Sequence, residues 1–305
     1  MSTTANVSDF QQGNTPTAHA TQPFLWSVRR ELWEYRSAYV APLIVAALAV
    51  MGFLISGRHV GTNIRAAELL GPMQLQMAIE RPYDFVALFL MGIVFLISIF
   101  YSIEALQGER RDRSILFWKS LPLSDMTIVL SKISVPVVIL PLIAVVLTVV
   151  THVIMLLLNL AIAQAGGVGA ATVWNNISLW RMWLMMLYHM LALHGLWMAP
   201  LYAWLLLVSA WARRAAFLWA VLPLAAIGVV EKLAFNTQHF ANWIFYRFGG
   251  APGANAYPGN HMAVHEWGRL SLGQFLLDPG LWTGLIAAGL FLFVAARIRR
   301  SRGPI

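Results

Sequence analysis

Six stretches of this chain contain no Asp, Glu, Lys or Arg: residues 38–55, 85–103, 133–163, 182–210, 215–230 and 281–296. A helix needs about 20 mostly apolar residues to cross the hydrocarbon layer of a bilayer. In that layer every backbone amide must find its partner within the segment, which leaves the helix as the spanning form for runs this long. Only 11% of the 305 residues are charged and the mean hydropathy is +0.67, whereas a soluble domain carries about 25% charge. The expected fold is therefore an all-α membrane protein with six transmembrane helices. The third and fourth stretches exceed what a straight crossing needs, so tilt or kinking is expected, with Pro136, Pro141 and Pro200 as bend points. The fifth is short and carries Pro223, and reads as a broken or re-entrant element.

Composition also excludes several classes. The chain has no cysteine, which removes disulfides, thiolate metal sites and a cysteine nucleophile. There is no Gly-x-x-x-x-Gly-Lys-Ser/Thr loop, and only Lys119, Lys132 and Lys232 supply lysine, so a phosphate-cradling nucleotide site is not encoded. The net charge of +8 belongs to loops beside anionic lipid rather than to nucleic-acid binding.

The cations are unevenly placed. Arg29, Arg30 and Arg36 precede the first span; Arg110, Arg111, Arg113, Lys119 and Lys132 lie between the second and third. Arg213 and Arg214 follow the fourth, and Arg297, Arg299, Arg300 and Arg302 follow the sixth. The positive-inside rule puts these segments, and both termini, in the cytoplasm. Residues 1–22 are polar without an apolar run, and read as a disordered cytoplasmic tail rather than a cleavable signal. Residues 23–37 mix Leu25, Trp26, Leu32 and Trp33 with Arg29, Arg30, Glu31 and Glu34, the pattern of an amphipathic helix lying in the interface. Residues 38–305 then form one six-helix domain. On the outer side, residues 231–280 are long and rich in aromatic residues, so short outward helices are expected before the last span.

The densest charge sits in residues 104–125, between the second and third spans. Ser114 can interrupt or cap a short segment over Ile115, Leu116, Phe117 and Trp118. Pro122 breaks it, and Ser124 can N-cap the next helix with Asp125 favourable in its first turn. Such a loop also marks any cytoplasmic face, so physics alone leaves its role open.

The order Glu104, Glu109-Arg110, Ser114, Phe117-Trp118-Lys119-Ser120-Leu121-Pro122, Ser124-Asp125, followed by a long span, resembles the permease subunits of ABC-2 type transporters. The likeness extends over residues 23–300: the interfacial helix, the six spans and the long outward loop. It implies that the 104–125 element is a cytoplasmic coupling helix seated in a separate ATPase subunit, with Glu109, Arg110, Arg113, Trp118 and Lys119 at that contact. Glu104 falls at the inner mouth, with Arg110 or Arg113 as its partner. The resemblance further implies short re-entrant helices before the last span and two permeases, identical or paralogous, with two ATPase subunits. It also implies a bacterial inner-membrane location, and export of a hydrophobic or amphipathic substrate by alternating access. The chain itself would be no enzyme and would hold no cofactor; ATP and Mg would sit on the partner.

Met186, Tyr188, His189 and His194 are candidates for the substrate path, set against ordinary packing and neutral, hydrogen-bonded histidines. His189 and His194 are five residues apart, about 140° around a helix, and do not share a face. A haem- or metal-handling protein using His152, His189 and His194 is one alternative. His261 and His265 suit a metal by spacing, without a full motif. A secondary transporter is another alternative, opposed by the lack of carboxylates within the six runs.

Overall fold

The computed structural model describes residues 23–120, 123–248 and 272–303. Among them nearly every residue is helical and no strand occurs. The 1–22 tail and the His261/His265 pair lie outside the described residues.

Helix α1 (Pro23–Glu34) lies before α2 (Ser37–Ser56), the first candidate span. A 3-10 turn at Gly57–His59 leads into α3 (Val60–Leu70). Gly71, at φ +111, then lets the chain reverse into α4 (Pro72–Arg111), an unbroken helix of 40 residues. At 1.5 Å per residue that is about 60 Å, roughly twice the hydrocarbon core. It therefore carries charged residues at both ends.

Arg113, at φ 61, turns the chain into α5 (Ser114–Ser120). The third span runs through α6 (Asp125–Ser134), a π-helical segment Val135–Ile139 and α7 (Leu140–Ala165). The π segment contains Pro136 and Pro141 follows it, where two missing amide donors favour a widened turn. Ser124 caps α6: its Oγ accepts the Thr127 amide at 3.0 Å, and Asp125 occupies the first turn. Ser124→Ala is expected to cost about 1 kcal/mol, read as a lower unfolding midpoint in detergent.

The fourth span, which begins with α8 (Ala170–Asn175), is a bent pair. Its first half, Ala170–Trp197, takes in α8, α9 (Leu179–Tyr188) and the π-helical segment His189–Trp197; its second is α10 (Ala199–Trp211). The bend between halves is 47°. Pro200 sits in the first turn of α10, where its absent N–H has no partner to lose.

The bend in the fourth span thus falls beside Pro200, as expected, whereas the break expected in the fifth span is absent. Helix α11 (Ala216–Phe235) is continuous despite Pro223. It is long and apolar enough to cross a membrane. Helices α12 (His239–Phe248) and α13 (Leu272–Leu277) precede α14 (Pro279–Ser301), the last candidate span. Among the described residues, five helices and the bent pair thus meet the length and hydropathy needed to cross a membrane.

Packing divides into two main cores. One, around Tyr101, Leu106, Val129, Leu206 and Ala295, lies toward the end of the bundle holding α1 and α5. The other, around Phe53, Ile64, Tyr83, Met155 and Met182, joins α2, α3, α4, α7 and α9 toward the opposite end. Helix α10 packs most extensively against α14 and α4.

Candidate functional site

The end of the bundle where α1, α4, α5, α6 and α14 meet is built around a buried ionic network. Lys132 on α6 is fully buried, and its Nζ lies 2.9 Å from Glu31 Oε1 on α1 and 3.1 Å from Glu109 Oε1 on α4. Glu109 also receives Arg30 Nη2 at 3.0 Å and Arg299 Nη2 at 3.1 Å. Arg299, from the last turn of α14, binds Asp125 through Nη1. The Tyr101 hydroxyl donates to Glu31 Oε2 at 2.8 Å. Three cations therefore meet three carboxylates, so the core of the network is neutral. Bringing these charges out of water is costly unless each is paired and hydrogen-bonded, and here each one is.

Helix α1 is shaped by this demand. Its buried face is polar, with Ser27 and Glu31, while Leu25, Trp26 and Trp33 are exposed. Arg29 lies 4.9 Å from the Trp33 ring centroid. Such a helix turns indole rings toward the level of lipid headgroups and a carboxylate toward the bundle. Burial alone would lower the Arg30 pKa. Its bonds to Glu34 and Glu109, with the charges of Glu31 and Glu34, raise it above the ordinary value instead. Burial, reinforced by the carboxylates of Glu104 and Glu31, holds the Tyr35 phenol well above its ordinary value.

Helix α5 hangs on this network. Ile115 is buried, and the Arg30 guanidinium lies 3.2 Å from the Trp118 ring centroid. Lys119 Nζ donates to the Arg302 carbonyl at 2.7 Å and to that of Arg300 at 3.3 Å, satisfying carbonyls at the end of α14. Leu116 and Phe117 are left 57% and 59% exposed.

The residues singled out from the 104–125 stretch are thus placed in two different ways. Arg113 and Lys119 are exposed, and Trp118 is half-buried beneath Arg30. Glu109 and Arg110 are buried. Arg110 donates to the carbonyls of Ala210 (2.9 Å) and Ala212 (3.2 Å) at the end of α10. Glu104 pairs with Arg111 at 2.8 Å, not with Arg110 or Arg113. Seven residues are two helical turns, which puts Glu104 and Arg111 on one face of α4; Arg110 faces α10, and Arg113 lies beyond the helix.

Sequence reasoning missed Arg30, Glu31, Tyr101, Lys132 and Arg299 as parts of one site. One signal was present: Lys132 is one of only three lysines and adjoins the longest apolar run, and a cation there requires a partner.

The intramembrane candidates separate. Met186 is packed in the core near the network. Tyr188 lines an apolar recess of about 400 Å³ between α9, the π segment after it and α13, with Leu191, Leu272 and Phe275. His189 Nδ1 donates to the Met185 carbonyl at 2.9 Å. His152 Nε2 donates to the Tyr83 carbonyl at 3.0 Å, and its Nδ1 accepts from Trp183 at 3.3 Å. His194 is buried against Phe95 and Tyr202. Among the described residues, no group of three or more His, Asp or Glu could hold a metal ion.

A buried carboxylate lies at the other end of the bundle. Glu80 lies outside the predicted 85–103 run, yet it is fully buried because α4 continues well past that run. Its carboxylate accepts from the Ser178 amide at 3.0 Å and the Ser178 hydroxyl at 2.9 Å. That places a negative charge at the start of α9, a favourable location at a helix N-terminus.

Comparison with known proteins gives no family assignment: no protein-family model, curated protein or solved structure matches the chain. The architecture itself defines a multi-pass, all-helical membrane protein.

Proposed function

We propose that this chain is the permease subunit of an ATP-binding-cassette transporter of the ABC-2 type, driven by a separate ATPase. The carrying observation is α5: a seven-residue helix offering exposed Leu116 and Phe117 at the charged end of the bundle. Its other side is fixed to α1 through Trp118 and to α14 through Lys119. A force on Leu116 and Phe117 would be transmitted to α1 and α14 through those anchors, and the ionic network lies directly behind them. In this reading the charged end faces the cytoplasm, the membrane is the bacterial inner membrane, and ATP and Mg remain on the partner.

The contact with the ATPase is assigned to Leu116, Phe117, Arg113 and the outer edge of Lys119. Glu109 and Arg110 become positioning residues behind it. Helix α11, of which only Ala216 and Ala220 are buried, leaves the most face for a second permease. The path would run between two copies, and the Tyr188 recess is a lateral site for an apolar part of the cargo. Export is the direction inferred.

The test is co-purification of an ATP-binding-cassette ATPase subunit with this chain from cells that express both. Leu116→Asp with Phe117→Asp is expected to abolish the complex and ATP-driven transport, because an apolar contact would be replaced by two desolvated charges. Folding is retained, since both side chains are mainly exposed. Unaided cargo movement by the isolated chain, or an intact complex in the double variant, overturns the reading.

A further inference from the structure

A second cationic assembly lies beside the network and is not neutralised by it. The turn between α10 and α11 carries Arg213 and Arg214, both exposed. Its shape is fixed: Ala212 is extended and Ala215 is left-handed, at φ 52. The buried Arg110 gathers this turn and the end of α14 together. Besides the Ala210 and Ala212 carbonyls, its Nε donates to the Gly303 carbonyl at 3.3 Å. Arg213 and Arg302 lie close enough for their charges to act on Arg110.

Among the described residues no carboxylate pairs with Arg213, Arg214 or Arg302. The nearby acids are engaged elsewhere: Glu104 and Asp112 with Arg111, Glu109 with Arg30, Lys132 and Arg299, and Asp125 with Arg299. Arg110, Arg213 and Arg302 therefore share one corner, with Arg214 next on the turn, and among the described residues none of them meets a carboxylate. The flank of this corner is amphipathic. Trp211 and Trp219 meet edge to face at 4.7 Å across the turn, 40% and 45% exposed. Phe217, Leu218 and Leu222 continue an exposed apolar surface along α11.

We infer that the α10–α11 turn, with Arg302, is a binding site for one anionic phospholipid. Its phosphate would lie against Arg213, Arg214 and Arg302, and its acyl chains along α11. Guanidinium forks match the paired oxygens of a phosphate, indole pairs belong at headgroup level, and cations at that level attract anionic lipid. An acidic protein partner would satisfy the charges but not the apolar surface beside them. The inference does not depend on the chain being a permease.

The test uses the full chain purified in mild detergent, then placed in nanodiscs of phosphatidylcholine containing phosphatidylglycerol. Retained lipid is read by native mass spectrometry. The variant combines Arg213→Gln, Arg214→Gln and Arg302→Gln, whose side chains hold no other element in place. The control combines Arg36→Gln, Arg297→Gln and Arg300→Gln, removing the same number of exposed cations elsewhere. The wild-type chain is expected to retain phosphatidylglycerol over phosphatidylcholine, and the variant to lose that preference by about tenfold or more. The control should keep it. Retention by the variant overturns the site, and equal loss in the control reduces it to general surface charge. If inorganic phosphate at millimolar concentration displaces the lipid completely, the site is for a soluble anion and the lipid assignment fails.

Discussion

Glu109→Ala is expected to lower stability by about 3–5 kcal/mol, the scale for removing one partner of a buried ion pair. The carboxylate is shared by Lys132, Arg30 and Arg299, each within 3.1 Å. Without it, Arg30 keeps Glu34 and Glu31, but the buried Lys132 is left with Glu31 alone and the buried Arg299 with Asp125 alone. Unfolding in mixed detergent, followed by circular dichroism, measures the change. Lys132→Met should be costly by the same reasoning, because Glu31 then keeps only Arg30 and the Tyr101 hydroxyl. Combining Glu109→Ala with Lys132→Met restores equal numbers of cations and carboxylates. The pair should therefore lose clearly less than the two single losses added, a coupling of the kind seen between residues in direct contact. An additive double variant would show that the charges are not acting as one network. So would a Glu109→Ala chain that unfolds at the wild-type midpoint.

The spans were legible because a run of about 20 apolar residues has few alternatives in a chain so poor in charge. Their ends were not, and α4 gives the reason. Arg81, Asp84 and Glu80 mark the limit of the apolar run, but a helix propagates by backbone hydrogen bonds that are indifferent to side-chain polarity. Helix α4 therefore starts at Pro72, behind the reversal at Gly71. The Ser124 cap was readable because its partner is three residues away. The Glu31–Lys132 and Glu109–Arg299 pairs join residues 101 and 190 positions apart. No local pattern encodes such pairs, and the same residues read equally well as markers of membrane orientation. The bend at Pro200 was legible in the sequence, but the unbroken fifth span was not. Pro223 and Pro200 look alike in sequence, but Pro200 falls in a first turn while Pro223 is carried inside α11.

Gly195→Val is expected to be the most damaging substitution within the apolar part of the bundle. The π segments Val135–Ile139 and His189–Trp197 touch there, and a Cβ on Gly195 would come within 2.5 Å of the Val137 carbonyl oxygen. That neighbour is backbone, so it yields only if one whole segment shifts. Overpacking of this kind costs about 1–3 kcal/mol and sometimes more. For alanine, about 1 kcal/mol of regained helix propensity offsets part of it, so Gly195→Ala should be moderately destabilising and Gly195→Val severely so. Gly92 provides the comparison, since a Cβ there meets nothing within 4 Å. Gly92→Ala should leave the unfolding midpoint unchanged or raise it. Widened turns are over-represented at functional positions because they change a helix's register without breaking it. Two of them meet here, one just beyond Lys132 and the other containing His194, so this contact is where a movement of the charged end against the rest of the bundle is expected to be taken up. A Gly195→Ala chain that folds but loses activity would locate that movement here. One that matches Gly92→Ala in both stability and activity would remove the two π segments from any account of how the protein moves.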